Sequence, residues 1–233
     1  MIALLSTQVA NEFAKKTGIE VLALKEYRRL DTPVSSHADM LICKIENTVF
    51  CYEDYYLENR EIFDLAESFG YRIIKCAPPV SNKYPYDIGL NALIIGKRVF
   101  GRVDCLCAEL KKIAIERGYT LINVKQGYTA CSTLALDEGH IVTGDISIKN
   151  AAEKEGISVT FIEEKSIKLN GYGYGFIGGA TAVAGNKIYA FGEAENLSSY
   201  EKIKACADAL DMELISIMSG DVVDFGGVRL IKQ

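Results

Sequence analysis

Histidine is scarce in this sequence: only His37 and His140 are present. The one close cysteine pair, Cys105-Leu-Cys107, is too tightly spaced for a zinc hairpin, and no second pair accompanies it. That combination argues against a structural metal, and no metal or organic cofactor is expected. Runs of Lys and Arg are missing too. The 26 basic and 31 acidic residues leave a formal net charge of −5, which gives a nucleic-acid or membrane-surface partner no electrostatic support. No apolar run is long enough to span a bilayer. The opening Met1-Ile-Ala-Leu-Leu-Ser lacks the basic start and long apolar core of a secretory signal. The seven cysteines (43, 51, 76, 105, 107, 131 and 206) are odd in number and lack the spacing of a disulfide scaffold. Most fall in apolar stretches, where a free cysteine acts as a small hydrophobe. A reduced, cytoplasmic setting is the expectation.

What is present is a soluble-type composition, 49% apolar and 24% charged over 233 residues. It can bury a sizeable core as one domain spanning 1–233. The chain repeats itself. Four segments share an apolar strand, a short polar turn, a second strand, a helix and a third strand. The first runs from Asp39-Met-Leu-Ile-Cys43 through a helix near 57–69 to Tyr71-Arg-Ile-Ile-Lys-Cys76. The second has its hairpin at 90–100, a helix near 104–117 and a strand at 120–124. The third has Cys131 at the start of its hairpin, a shorter helix near 147–155 and a strand at 157–162. The fourth has its hairpin at 180–191, a helix near 198–210 and a strand at 213–217. Glu46-Asn47, Gly96-Lys97, Glu138-Gly139 and Gly185-Asn186 supply turn residues between the paired strands. Ser198 with Glu201 reads as a capping box. A fifth copy is split between the termini: Gly226-Gly-Val-Arg-Leu-Ile-Lys232 supplies its first strand. Met1–Leu5, a helix at 8–17 and a strand at 19–24 complete it. Such a copy would close a ring without a free edge.

Aligning the turns makes Asp39, Gly89, Cys131, Gly178 and Gly226 equivalent. Two residues earlier stand His37, Asp87, Thr129, Phe176 and Asp224. Around a pseudo-symmetry axis these residues would converge at one end. A nucleophilic cysteine needs a lowered pKa and an acid/base partner, and His37 is the histidine that the register brings to Cys131. The alternative is a buried structural thiol like most of the other six. Asp39, Asp87 and Asp224 could bind a planar cation by paired hydrogen bonds, or merely cap turns. Gly173-Tyr-Gly175-Phe-Ile-Gly178 fits a dinucleotide-binding pattern, but a strand hairpin follows where a helix N-terminus is required. It reads instead as close backbone packing, with Tyr172 and Tyr174 on a flap or on an ordinary surface loop.

Ser36-His37-Ala38-Asp39 and Thr129-Ala-Cys131-Ser-Thr133 resemble the His-x-Asp and nucleophilic-cysteine motifs of the pentein, or guanidino-group-modifying, superfamily. The resemblance covers the whole chain and implies an α/β fold, a five-bladed α/β propeller of ββαβ modules. Its module order would be circularly permuted relative to arginine deiminases and amidinotransferases. It implies catalysis by Cys131, His37 and Asp39, with Asp224, Asp87, Thr129 and Phe176 at the substrate. Phe176-Ile-Gly-Gly179 stands where the family has Phe-x-Arg-Asp and lacks both charges. Asp224-Phe-Gly-Gly227 matches the family's Glu-Gly-Gly-Asp only with a one-residue shift. No arginine substrate is therefore implied. The expectation is a hydrolase or transferase acting on a small guanidine or amidine through a covalent thiouronium-type intermediate. Pentein-fold translation factors without catalytic residues, and a degenerate enzyme that only binds a small ligand, remain as alternatives. A flat ring with exposed hairpins is also compatible with a homodimer.

Overall fold

The computed structural model describes residues 1–231; Lys232, the expected end of the last strand, lies outside them. The chain opens with β1 (Ile2–Ser6), α1 (Ala10–Thr17) and β2 (Glu20–Leu24). A first full unit follows: α2 (Ala38–Leu41), β3 (Ile42–Ile45), β4 (Thr48–Tyr52), α3 (Glu53–Glu58), α4 (Arg60–Ser68) and β5 (Arg72–Cys76). The next is β6 (Leu93–Ile95), β7 (Arg98–Gly101), α5 (Ala108–Glu116) and β8 (Thr120–Asn123). Then come β9 (Thr133–Ala135), β10 (His140–Thr143), α6 (Ile146–Lys154) and β11 (Ser158–Phe161). The last unit is β12 (Thr181–Ala184), β13 (Lys187–Ala190), α7 (Tyr200–Ala209) and β14 (Glu213–Ser216), and β15 (Arg229–Ile231) ends the described chain.

These strands form five three-stranded sheets with one shared topology. In each, the central strand runs antiparallel to its hairpin partner and parallel to the strand beyond the helix. The fifth sheet joins the two ends of the chain: β15 pairs antiparallel with β1, Ile2 facing Ile231, and β2 lies parallel on the other side of β1. The central strands β1 and β4 are buried along their whole length, as strands covered on both faces must be. The first strands of all five sheets (β3, β6, β9, β12 and β15) line one cavity of about 300 Å³. Between sheets, the Phe13 ring of α1 meets Tyr189 and Phe191 edge-on at 5.7 and 6.3 Å, a favoured geometry for buried aromatics. No helix among the described residues is long and apolar enough to cross a membrane.

Local chemistry explains most boundaries and several departures. Three hairpins turn through left-handed residues, Glu46, Gly96 and Gly185. At the third sheet the turn is instead braced by Asp137, whose Oδ1 accepts the Gly139 N–H at 2.7 Å. The expected helix at 57–69 is two helices, broken at Asn59, whose side chain donates to the Tyr55 carbonyl at 3.0 Å. The expected helix at 104–117 starts only at Ala108, because the Cys107 N–H is spent on the Gly89 carbonyl (2.9 Å). The Ser198–Glu201 box does not form. Ser198 Oγ and the Ser199 N–H, at the start of α7, both donate to Glu164 at 2.9 Å.

Candidate functional site

Neither Asp39 nor Cys131 lies on a strand, as the repeat pattern had them. Asp39 sits in the first turn of α2, with His37 at its N-cap. Cys131 lies in a turn ahead of β9, where the Ser132 N–H donates to the Tyr128 carbonyl at 2.9 Å. The register nevertheless holds: each of the five equivalent residues precedes the first strand of its sheet by two to four positions. Polar contacts link these leading turns in a closed circuit. The Asp39 N–H donates to Gly226 O at 3.0 Å, and the Gly227 N–H to Gly179 O at 2.8 Å. The Gly179 N–H donates to Cys131 O at 3.1 Å. The circuit closes through Asn91, which donates to Cys131 Sγ at 2.9 Å and Met40 Sδ at 3.3 Å. Two glycines make this packing possible. A Cβ on Gly179 would collide with the Asp224 carboxylate, and one on Gly226, at φ +79°, with His37.

A cavity of about 240 Å³ opens above the circuit, lined by His37, Cys131, Asp224 and Phe176 together with Tyr128 and a flap carrying Tyr172 and Tyr174. Four of the seven expected site residues therefore share one cavity. Asp39 does not line it. That residue is 1% exposed and lies behind the floor, close enough to Cys131, His37 and Asp224 to act on each electrostatically. Asp87 stands a layer further back, accepting the Tyr128 hydroxyl at 2.8 Å. Thr129 is fully buried and donates to the Gln126 carbonyl at 2.9 Å, so its hydroxyl serves the turn. A larger cleft of about 530 Å³ lies against the other side of Phe176, but no cysteine or histidine lines it.

The floor is a cluster of buried charge. Burial pushes the Asp39 carboxyl up to about 6, against the opposing pull of His37. Both its oxygens are buried without an N–H or O–H donor, a costly state for a carboxylate. Burial also raises Asp224, partly offset by His37 and by the N–H groups of Phe176 and Gly226 at 2.8 and 3.0 Å. His37 Nδ1 lies 3.7 Å from Asp224 Oδ1, too long for a hydrogen bond. The Cys131 thiol is held well above its ordinary pKa by burial and then by the charges of Asp39 and Asp224, with the Asn91 amide alone among its main neighbours pulling down. Burial and the two neighbouring carboxyls thus keep the Cys131 thiol protonated.

Asn91 is the polar neighbour of Cys131 that the repeat pattern missed. It is fully buried, and its Oδ1 accepts the Ala130 N–H at 2.8 Å while its amide reaches Cys131. A lone Asn between Leu90 and Ala92 in an apolar stretch was the available signal. Outside the cavity, Cys76 Sγ, Cys107 Sγ and a Glu109 oxygen lie within 4.8 Å of one another. Sequence spacing ruled out Cys105 with Cys107 as a zinc hairpin and did not foresee Cys76, which the fold brings to Cys107.

A model of a family of unknown function, DUF6873, matches residues 4–229. The chain belongs to that family. No curated protein sequence matches it. Among solved structures, it is similar to SxtG, an amidinotransferase from Microseira wollei in the saxitoxin biosynthetic pathway. There the TM-score is 0.59 at 11% identity, covering 91% of this chain and 74% of that one. It is also similar to DDAH from Pseudomonas aeruginosa, complexed with citrulline. The TM-score is 0.57 at 10% identity, over 92% and 91% of the two chains. A third is agmatine deiminase from C. jejuni, at TM-score 0.51 and 13% identity, covering 93% and 74%. At such identities the likeness concerns the fold, and the fold is that of the pentein superfamily.

Proposed function

We propose that this chain is a single-domain enzyme acting through Cys131 on a small guanidine or amidine. Its five sheets would be the blades of a closed α/β propeller, the blade split between the termini making it a circular permutation of the arginine deiminase order. The shared sheet topology and the cavity common to the five first strands support that architecture.

The observation that carries the chemistry is the one cavity that brings the Cys131 thiol, His37 and the Asp224 carboxyl together, with the buried Asp39 carboxyl behind its floor. Such a floor complements a planar cation that carries N–H donors. A guanidinium or amidinium in the cavity would pair with Asp224 and offset the carboxylate charge that, after burial, keeps the thiol protonated. The thiol proton passes to His37, and the thiolate attacks the central carbon, forming an S–C bond. Asn91 steadies the sulfur's charge, and Asp224 holds the cation in line while Asp39 adds its charge from behind the floor. As the tetrahedral adduct collapses, the C–N bond breaks and His37 returns the proton to the departing amine. The thiouronium left on Cys131 is then attacked by water or an acceptor amine, with His37 taking that nucleophile's proton. Collapse of this second adduct breaks the C–S bond, releases the product and returns the Cys131 sulfur, which regains its proton from His37. Phe176 forms a wall, while Asp87 and Thr129 support the Tyr128 turn.

The protonated resting thiol also fits a protein that binds such cations without turning them over, as a translation-factor-like or degenerate member would. One experiment addresses both. Treated with 2-chloroacetamidine and mapped by mass spectrometry, the protein is expected to carry its adduct on Cys131 before the more exposed Cys105, Cys107 or Cys206. Adducts on those three that spare Cys131 would overturn the enzymatic reading.

A further inference from the structure

The walls of the cavity point to what the rest of the substrate is. Resting on the reading that a guanidine or amidine head sits at the Cys131 floor, we propose that the head carries an uncharged apolar substituent, aryl or short alkyl. It bears neither the carboxylate of an amino acid nor a second cation.

Above the floor the cavity is walled by Val34, Met40, Tyr128, Leu169, Tyr172 and Phe176. Among the described residues no Lys or Arg lines it. Lys168, next to the flap, is 63% exposed and pairs outward with Asp221 at 3.9 Å. Arg229 lies instead against the cavity of the five first strands, its Nε donating to the Ile42 carbonyl at 3.3 Å. A carboxylate tail would therefore find no counter-charge on these walls, and two carboxylates stand behind the tyrosines. Asp31 accepts from Tyr172 and Asp87 from Tyr128, each at 2.8 Å.

Those same bonds argue against a cationic tail. They occupy carboxylate oxygens with tyrosine hydroxyls, so that the cavity is walled by tyrosine rings rather than by charges. An ammonium against these walls exchanges its hydration for ring faces alone, with no wall carboxylate to pair with, whereas an apolar group gains by leaving water. The ring of Phe176 lies between Tyr128 and Tyr174, with centroids 6.2 and 6.0 Å away, an arrangement suited to a flat aryl group. Size agrees, since about 240 Å³ falls below the roughly 300–1,000 Å³ of sites for drug-sized ligands.

Calorimetric titration of the full chain and of Cys131→Ser with phenylguanidine, n-butylguanidine, agmatine and L-arginine tests the assignment without requiring turnover. The two apolar guanidines are expected to bind at least ~10-fold tighter than agmatine or arginine in both proteins. Leu169→Arg should narrow or reverse that preference for arginine by a similar factor. Equal or tighter binding of arginine or agmatine, or no binding of either apolar guanidine, would overturn the substituent assignment. That result stands apart from the catalytic reading. Apolar guanidines that bind while Cys131 resists chloroacetamidine would sink catalysis alone, and labelling of Cys131 with a preference for arginine would sink the substituent alone.

Discussion

Asp39 costs the fold stability where it serves the site. Its carboxyl rises from 3.8 to about 6 on burial, so the folded chain holds that proton more tightly than the unfolded one. The stability it contributes is complete below pH 3.8 and is lost as the pH rises through 6. The difference corresponds to about 3 kcal/mol. Asp39→Asn is accordingly expected to raise the melting temperature at pH 8, by up to ~10 °C, with the gain shrinking toward pH 4. The same variant should abolish labelling of Cys131 by chloroacetamidine. A loss of stability at pH 8 would instead make Asp39 a structural residue. His37, Asp39 and Cys131 were legible as a group because the repeat spacing brought them to equivalent positions. Asn91 was not, since its part depends on an amide that reaches from the second unit to both Ala130 and Cys131. Nor could spacing separate Asp224, which lines the cavity, from Asp87, which sits behind a tyrosine.

Helix α7 shows what local sequence leaves out at the level of the element. Its start is capped from a distance by Glu164, which accepts from Ser198 Oγ, the Ser199 N–H and both the N–H and Oγ of Ser166. The burial cost to this carboxylate is outweighed by those donors, and its pKa falls below the usual value. Removing it should cost about 1–2 kcal/mol in urea denaturation of Glu164→Ala. Ser198→Ala should cost less than about half of that. Equal losses would restore the local capping box as the true cap. The hairpins were easier to read, because paired apolar strands flank turn residues in every unit. Even there Gly139 keeps an ordinary backbone conformation while the Asp137 side chain makes the turn. The helix boundaries at Asn59 and Ala108 moved for the same reason: side-chain and cross-unit hydrogen bonds, not propensity, set them.

At the scale of the molecule, five sheets of one topology direct their leading turns to a common place. The split fifth sheet was legible from its strand pattern alone, and the pairing of Ile2 with Ile231 bears it out. Less legible was how tightly those turns meet, which depends on glycines that leave room for Asp224 and His37. Each unit brings little chemistry. Meeting, they bury a thiol among carboxyls in a way that no single unit could, and this convergence is the basis of the proposed activity. The proposed activity requires that a planar cation activate that thiol. Its most direct test compares the rate at which Cys131 is alkylated by cationic 2-chloroacetamidine with that for neutral 2-chloroacetamide. The predicted result is a cation reacting at least ~100-fold faster, a difference of about 2.7 kcal/mol, that collapses in Asp224→Asn. Equal rates for the two reagents, or a ratio unchanged by Asp224→Asn, would contradict it.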